Sequence, residues 1–244
     1  MQSTNHILLV RPVASAFNTE TATSNAFQRK VDVDDQTALR LVQAEFDAFA
    51  SKLRSCGVDV EVVEDTISPA KPDAVFPNNW ITFHPDGRVV LYPMHARSRR
   101  LERRMDIVNR LRKKFEVREV VDLSGYEEEG RFLEGTGSMV MDHVNKVAYA
   151  CLSPRTDKDL FLHVCGLLNY RPVYFHAYDQ HGKEIYHTNV MMCLGEGFCI
   201  VCLPSVTDPA DKKKMMDSLR DTGHTIVDIS YDQMNHFAGN MLTL

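Results

Sequence analysis

The sequence predicts an α/β fold made of repeated ββαβ units, and three observations lead to this prediction. First, four stretches align when Asn79, Gly137, Asn189 and Asn240 are superposed, at intervals of roughly 50 to 60 residues. Second, each of the first three stretches runs from a polar start through an apolar strand, a turn and a second apolar strand, as in a β-hairpin. Third, a helical segment and another strand follow each hairpin. Units of this kind bury their apolar faces by packing side by side, which favours an α/β propeller.

The N-terminal elements follow this order. The strand ILLVRP precedes the helical stretch DDQTALRLVQAEFDAFASKLRSCG, which Gly57 stops, and the strand VDVEVVED follows. The first hairpin then covers FPNNWITFHPDGRVVLYPM. We interpret the next stretch, RSRRLERRMDIVNRLRKKF, as one amphipathic helix with a solvated basic face, and an acidic partner is the alternative. Its apolar residues recur at helical spacing: Leu101, Met105, Val108 and Leu111.

The remaining elements repeat the pattern. The second hairpin, EGTGSMVMDHVNKVAYACL, precedes the helical segment DKDLFLHVCGLLNY and the strand RPVYFHAY. The third hairpin, YHTNVMMCLGEGFCIVCLP, precedes a helix that Gly223 stops and the strand HTIVDIS. The fourth stretch, HFAGNMLTL, reaches Leu244 within its first strand. We therefore expect residues 1–244 to form a single α/β-propeller domain whose last blade is incomplete.

Composition excludes several classes of protein. With 244 residues, 44% of them hydrophobic and 25% charged, the chain is long enough to bury a full core. Its net charge of -5 gives no basic field for nucleic acid. No apolar run approaches the roughly 20 residues that a membrane span needs, and the start MQSTNHILLVRP lacks the features of a signal peptide. We expect a cytoplasmic protein with no nucleic-acid or membrane partner.

The six cysteines raise the question of a metal site or disulfides. Cys199 and Cys202 form a C-x-x-C motif, but they lie in an apolar, β-rich run, and strand residues three apart point to opposite faces. His176 and His181 have no helix that would bring them together. The cysteines are therefore interpreted as buried reduced thiols, and we expect no metal and no cofactor.

Four motifs together carry a resemblance to a known superfamily. In order, PDAVFPNN, LEGTGSMV, CLSPRTD and YHTNV resemble motifs of the guanidino-group-modifying enzymes, which include arginine deiminase, dimethylarginine dimethylaminohydrolase and the amidinotransferases. The resemblance runs from ILLVRP to the last residue and is closest to the amidinotransferase-like citrulline-utilisation hydrolases. It implies a pseudo-symmetric five-bladed ββαβ propeller, in agreement with the repeat.

The resemblance also implies roles for four residues. His187 matches the general acid/base, and Glu134 matches the acid that orients this histidine or the substrate. Asp73 matches an acidic position near the substrate, and Arg155 matches an arginine that holds the α-carboxylate of an amino acid. Each residue has a structural alternative: His187 and Arg155 can be parts of the framework, and Glu134 can extend the acidic run 127–129, which we interpret as solvent-facing.

Two amides depart from the pattern of the superfamily. Asn79 and Asn189 stand where guanidinium-processing relatives commonly have acids, while Asn78 is interpreted as a turn residue beside the substrate. A guanidinium offers donors alone, whereas a neutral ureido group has a carbonyl oxygen that needs a donor, which an amide supplies. These residues therefore favour citrulline over arginine.

The function implied by the resemblance is a cysteine-dependent hydrolase. It would convert citrulline to ornithine, carbon dioxide and ammonia through a covalent intermediate. The expected partner is a small amino acid as substrate, and the sequence leaves open whether the protein forms a homodimer. The family's cysteine lies near the C-terminus, and no cysteine follows Cys202 here, so we expect a C-terminally truncated chain without activity. The alternatives are a non-catalytic ligand- or partner-binding member, an arginine or dimethylarginine hydrolase, and an amidinotransferase.

Overall fold

The computed structural model describes residues 1–14, 17–22, 25, 28 and 32–244, which form four small β-sheets. The strands of these sheets are β1 (His6–Arg11), β2 (Asp59–Glu64), β3 (Ile81–Phe83), β4 (Arg88–Leu91), β5 (Glu119–Asp122), β6 (Val140–Asp142), β7 (Val147–Cys151), β8 (Arg171–Phe175), β9 (Met192–Gly195), β10 (Phe198–Val201) and β11 (Thr225–Asp228).

Helices connect the strands. They are α1 (Asp35–Ser55), α2 (Arg97–Arg100), α3 (Met105–Leu111), α4 (Gly135–Ser138), α5 (Lys158–Leu168), α6 (Thr188–Met191), α7 (Pro209–Asp221) and α8 (Tyr231–Asn235). The three long helices α1, α5 and α7 begin at aspartates whose side chains accept a backbone N–H of the first turn, because the first N–H groups of a helix have no partner within it. These caps are Asp34, Asp157 and Asp208.

Three of the sheets share one topology, and it is the predicted one. Their strand orders are β3-β4-β5, β6-β7-β8 and β11-β10-β9. In each sheet the two strands that come first along the chain are antiparallel, and the strand that comes last pairs in parallel with the central one. A parallel neighbour requires a crossover, which the intervening helices provide. The repeated ββαβ unit is therefore confirmed.

The fourth sheet is a parallel pair. β1 and β2 are in register from His6 opposite Asp59 to Arg11 opposite Glu64, and α1 connects them. Gly57 lies just beyond α1 with a φ of 87°, a left-handed conformation that favours glycine at a helix end. This sheet is the βαβ part of the same repeat.

A short helical turn leads directly into each three-stranded sheet, and we call these three segments the leading turns. They are the 3-10 turn Pro77–Asn79, the single-turn helix α4 and the single-turn helix α6. Each holds one of the superposed residues Asn79, Gly137 and Asn189. The leading turns therefore place the polar candidate residues at equivalent positions of successive ββαβ repeats.

The structure contains two compact units. The N-terminal unit comprises Thr4–Leu91 and Ala96–Leu123, and the C-terminal unit comprises Met1–Ser3, Tyr92–His95 and Ser124–Leu244. Fully buried apolar side chains form the core of each. In the N-terminal unit they include Trp80, Val89, Val90, Ile107 and Val108, and in the C-terminal unit Leu133, Tyr149, Phe161, Phe175 and Met191. That residues 1–244 form a single propeller domain stays a prediction.

Two predicted elements were wrong. The basic stretch after the first hairpin is not one helix: α2 and α3 are separate, and Arg99 is buried, not solvated, because its guanidinium lies among buried polar groups. Residues 240–244 form no strand, since none of the described strands pairs with them. In the part of the chain that the structure describes, no helix combines the length and the apolar character needed to cross a membrane.

Candidate active site

Glu134 is the centre of a buried polar cluster in the C-terminal unit. It is fully buried and directly precedes Gly135, whose φ of 46° lets the chain turn sharply into α4. One carboxylate oxygen, Oε1, accepts the backbone N–H of His95 at 2.9 Å. The other, Oε2, lies 2.7 Å from Nε2 of His187 and 3.5 Å from Nη1 of Arg155. The carboxyl group thus lies against a backbone N–H, an imidazole and a guanidinium, and the nearby cation of Arg155 favours its ionised form.

His187 occupies the N-cap position of α6 and is almost completely buried. Because an ionised carboxylate can accept but not donate, the contact with Glu134 requires the proton on Nε2. The second ring nitrogen, Nδ1, is then the one that can gain or lose a proton. The ring also packs against Tyr186 at a centroid distance of 4.8 Å. Glu134 therefore fixes both the tautomer and the orientation of a buried imidazole.

Arg155 brings a buried positive charge to the same cluster. Its guanidinium lies 4.8 Å from the ring centroid of Tyr186, in the geometry of a cation–π contact, and it pairs with Glu134. Tyr186 thus lies against both His187 and Arg155. The structure brings together three of the predicted site residues, Glu134, Arg155 and His187; the role of Arg155 toward an α-carboxylate stays a prediction.

Asn79 lies in a buried network of the N-terminal unit. Its Oδ1 accepts from Nη1 of Arg99 at 2.8 Å. Nε and Nη2 of Arg99 bind the two carboxylate oxygens of Glu102, each at 2.9 Å, and all three side chains are buried. This pairing fixes the orientation of the Asn79 amide, because its oxygen must face Arg99. The other end of the amide can therefore act as a donor, never as an acceptor.

Asp73 lies near the same arginine. Its Oδ2 accepts from Nδ2 of Asn18 at 2.6 Å and lies 3.8 Å from Nε of Arg99. Asn78 is half-buried within the leading turn Pro77–Asn79, which supports its interpretation as a turn residue. Arg99 thus connects Asp73 and Asn79 in one unit.

Asn189 is half-buried in α6, two residues after His187. Its backbone carbonyl accepts from Nδ2 of Asn240 at 3.0 Å. The superposed positions Asn189 and Asn240 are therefore in direct contact. The roles of Asp73, Asn78, Asn79 and Asn189 toward a substrate stay predictions.

Sequence reasoning missed several members of these clusters. Arg99 and Glu102 form a buried ion pair within the basic stretch that we predicted to be solvated. Their spacing of three residues, which brings two side chains together on a helix, could have indicated the pair. The predicted first hairpin ends at Met94, yet the backbone N–H groups of Met94 and His95 bind carboxylates. Glu127, which we expected to face solvent, is half-buried and its Oε1 accepts the N–H of Met94 at 2.7 Å.

Five of the six cysteines are buried, reduced thiols, as predicted, but the prediction was wrong for Cys56, which is exposed at the end of α1. Burial raises the pKa of Cys151 and of Cys165 to about 12, and it also raises the pKa values of Cys193, Cys199 and Cys202. A thiol is nucleophilic as its thiolate, so these groups are unreactive at neutral pH. Among the described residues, no group of three or more His, Cys, Asp or Glu side chains is arranged to hold a metal ion.

We expect iodoacetamide at neutral pH to modify one of the six thiols in the native chain. Cys56 is exposed, whereas the other five are buried and protonated. Mass spectrometry of the labelled protein should find the adduct at Cys56, and labelling in denaturant should reach all six as a control. Native labelling of Cys151 or Cys193 at the rate of Cys56 would contradict this description.

Comparison with protein families assigns the chain to one of them. The model of the family described as "N,N dimethylarginine dimethylhydrolase, eukaryotic" matches residues 11–244. A search of curated proteins found no match.

Solved structures share the fold at low sequence identity. A cysteine-to-serine mutant of the N-terminal domain of ArgZ, a cyanobacterial arginine dihydrolase, bound to substrate is 18% identical, with a TM-score of 0.71 over 96% of this chain and 79% of that one. A mutant of AgrE with L-arginine is 16% identical, with a TM-score of 0.76 over 98% and 33%. Dimethylarginine hydrolase from Pseudomonas aeruginosa with citrulline is 14% identical, with a TM-score of 0.56 over 93% and 92%.

These similarities confirm the predicted fold class, an α/β propeller of ββαβ units. The chain spans about a third of the length of full-length ArgZ, of which it covers 32%.

Proposed function

Because the chain belongs to the eukaryotic N,N-dimethylarginine dimethylhydrolase family, and with it to the guanidino-group-modifying superfamily, we propose that it binds an amino acid with a ureido or guanidino side chain for C–N bond hydrolysis. We further propose that citrulline is the preferred substrate. The observation that carries the proposal is the buried pair of Glu134 and His187, joined at 2.7 Å beside the cation of Arg155.

The chemistry requires a proton carrier at the carbon that reacts. In the reaction that the resemblance implies, a cysteine thiolate attacks the ureido carbon, one C–N bond breaks, and His187 protonates the departing nitrogen. The six cysteines of residues 1–244 do not supply this thiolate. The same histidine then takes a proton from water, which attacks that carbon as the thiolate leaves. Cleavage of the second C–N bond of the ureido group completes the reaction: citrulline and one water give ornithine, carbon dioxide and ammonia. Glu134 stabilises the imidazolium of each proton transfer.

The preference for citrulline rests on the amide of Asn79. Arg99 holds its oxygen, so the other end of the amide is a donor. By the resemblance this position faces the substrate, where a donor suits a ureido oxygen and not a guanidinium. Glu102 neutralises Arg99, so this network adds no net negative charge that would attract a cationic side chain. Asn189 is the second amide in place of an acid.

Asp73 and Glu134 favour a second candidate substrate class, arginine or dimethylarginine. Both carboxylates match acids that pair with a guanidinium in the superfamily. In this structure, however, both already accept from protein donors: Asn18 for Asp73, and three groups for Glu134. A guanidinium would compete with these donors.

The cysteines favour a binding role for residues 1–244 on their own. The five buried thiols are protonated at neutral pH, and Cys56 belongs to the exposed end of α1. None of the six suits the nucleophile, so we infer that these residues bind the amino acid without turnover. Turnover by this chain that is lost in Cys193→Ala would reject this inference.

We expect the chain to bind L-citrulline at least about tenfold more tightly than L-arginine, because one well-placed hydrogen bond contributes about that much. Isothermal titration calorimetry of both amino acids measures the ratio. The double variant Asn79→Asp/Asn189→Asp should lower or invert it, whereas Asn109→Asp adds a charge on the exposed face of α3 and should not. Equal or tighter arginine binding, or an unchanged ratio in the double variant, would reject the preference. Failure to bind either amino acid would reject the proposed function itself.

A further inference from the structure

Ser138, the last residue of α4, connects two segments of the candidate active site. Its hydroxyl accepts the backbone N–H of Glu134 at 2.9 Å and donates to the backbone carbonyl of Arg155 at 2.8 Å. The side chain is fully buried, so water does not compete for these bonds. The hydroxyl thus joins the segment that carries the carboxylate to the segment that carries the cation.

Thr188, the residue after His187, makes the matching connection on the other side. Its hydroxyl donates to the backbone carbonyl of Ser138 at 2.6 Å and accepts the backbone N–H of Cys151 at 2.8 Å. A hydroxyl has one hydrogen, and the short bond to Ser138 uses it. The Sγ of Cys151 is a longer contact at 3.5 Å.

We propose that Ser138 and Thr188 are positioning residues that hold Glu134, Arg155 and His187 in register, an assignment that rests on the proposed function. The three side chains come from three separate loops, at the start of α4, after β7 and at the start of α6. The two hydroxyls connect the backbones of these loops by hydrogen bonds, which fixes the positions of the Cα atoms that carry the three side chains. The hydrogen bond between Glu134 and His187 depends on the relative position of these loops, because side chains in a binding or catalytic site must be held to within about 0.5 Å.

The hydroxyls do more than fill space. Valine has nearly the shape of threonine, but in place of Thr188 it would leave the carbonyl of Ser138 and the N–H of Cys151 buried without this partner. The backbone would then move so that the carbonyl of Ser138 and the N–H of Cys151 form hydrogen bonds with water or with other protein atoms. Because Thr188 is bonded to His187, that movement would shift the imidazole relative to Glu134.

The test compares four variants with the wild type. Thr188→Val and Ser138→Ala remove the hydroxyls, and Thr188→Ser restores one. Ser205→Ala is the matched control, because Ser205 is fully buried in the same unit and donates to the carbonyl of Cys202 within one turn. One readout is the ring Nε2–H proton of His187, observed by NMR in protein with ¹⁵N-labelled histidine. The other is the affinity for L-citrulline, and circular dichroism confirms that each variant is folded.

We expect Thr188→Val and Ser138→Ala to shift the His187 ring proton and speed its exchange, and to weaken citrulline binding about tenfold. Thr188→Ser and Ser205→Ala should stay within about twofold of the wild type. A folded Thr188→Val or Ser138→Ala that keeps the wild-type ring signal would overturn the proposal, as would loss of the signal in Thr188→Ser.

The two readouts separate this proposal from the proposed function. If the wild type binds no citrulline or arginine, the proposed function fails, while the ring proton still decides whether the hydroxyls position His187. If Thr188→Val does not fold, Ser138→Ala and Thr188→Ser supply the comparison.

Discussion

Replacing Arg99 with methionine is expected to lower the free energy of unfolding by about 3–5 kcal/mol. Methionine fills a similar volume, but it leaves the buried carboxylate of Glu102 without the cation that binds both of its oxygens. Oδ1 of Asn79 loses its donor at the same time. Urea denaturation followed by circular dichroism measures the change.

Two controls separate charge from packing at Arg99. Arg99→Met combined with Glu102→Leu removes both charges and should recover most of the lost stability, because well-packed apolar residues often replace a buried ion pair without loss. Arg97→Met lies at an exposed position of the same helix and should change stability by about 0.5 kcal/mol or less. A loss in Arg99→Met no larger than in Arg97→Met would show that the buried pair contributes little.

Replacing Glu134 with alanine is expected to cost about 3–5 kcal/mol of stability and to abolish citrulline binding. The substitution leaves the buried guanidinium of Arg155 without its carboxylate and removes the acceptor for His187 and for the N–H of His95. Chemical denaturation measures the first effect, and calorimetric titration below the unfolding transition measures the second.

The comparison variants for Glu134 are Glu134→Gln and Glu129→Ala. Glutamine keeps an acceptor oxygen but no charge, so it should bind citrulline more weakly than the wild type and unfold less readily than the alanine variant. Glu129 makes an exposed ion pair with Arg131, and its removal should cost at most about 1 kcal/mol. Wild-type citrulline affinity in a folded Glu134→Ala protein would exclude Glu134 from the site.

The repeated unit was predictable because its signals are local. A hairpin needs an alternation of apolar residues and a turn within about twenty positions, and a helix shows its start and end through its caps. The helices α5 and α7 and the sheets that they connect follow the sequence pattern directly. The proximity of His187 to Glu134 was implied by the resemblance, which matches Glu134 to the acid that orients this histidine or the substrate.

The polar networks were not predictable because they depend on contacts between distant segments. Arg99 sits in a basic run whose composition indicates a solvent-exposed face, and its burial is decided by Glu102, Asn79 and the carbonyls around Phe76. Likewise, nothing local marks the N–H groups of Met94 and His95 as donors to Glu127 and Glu134. The hydrogen bonds that turn residues and strand ends make in the candidate site therefore cannot be predicted from the local sequence.

The short sequence span of each three-stranded sheet has a consequence for how the chain folds. All the strand pairings of these sheets occur within 81–122, 140–175 and 192–228, so no pairing in them joins distant parts of the chain. Proteins whose contacts are close in sequence fold rapidly, because little loop entropy is lost before the contacts form. We therefore expect each sheet to nucleate by itself, and the hydrogen bond from Thr188 of α6 to Ser138 of α4 to form later.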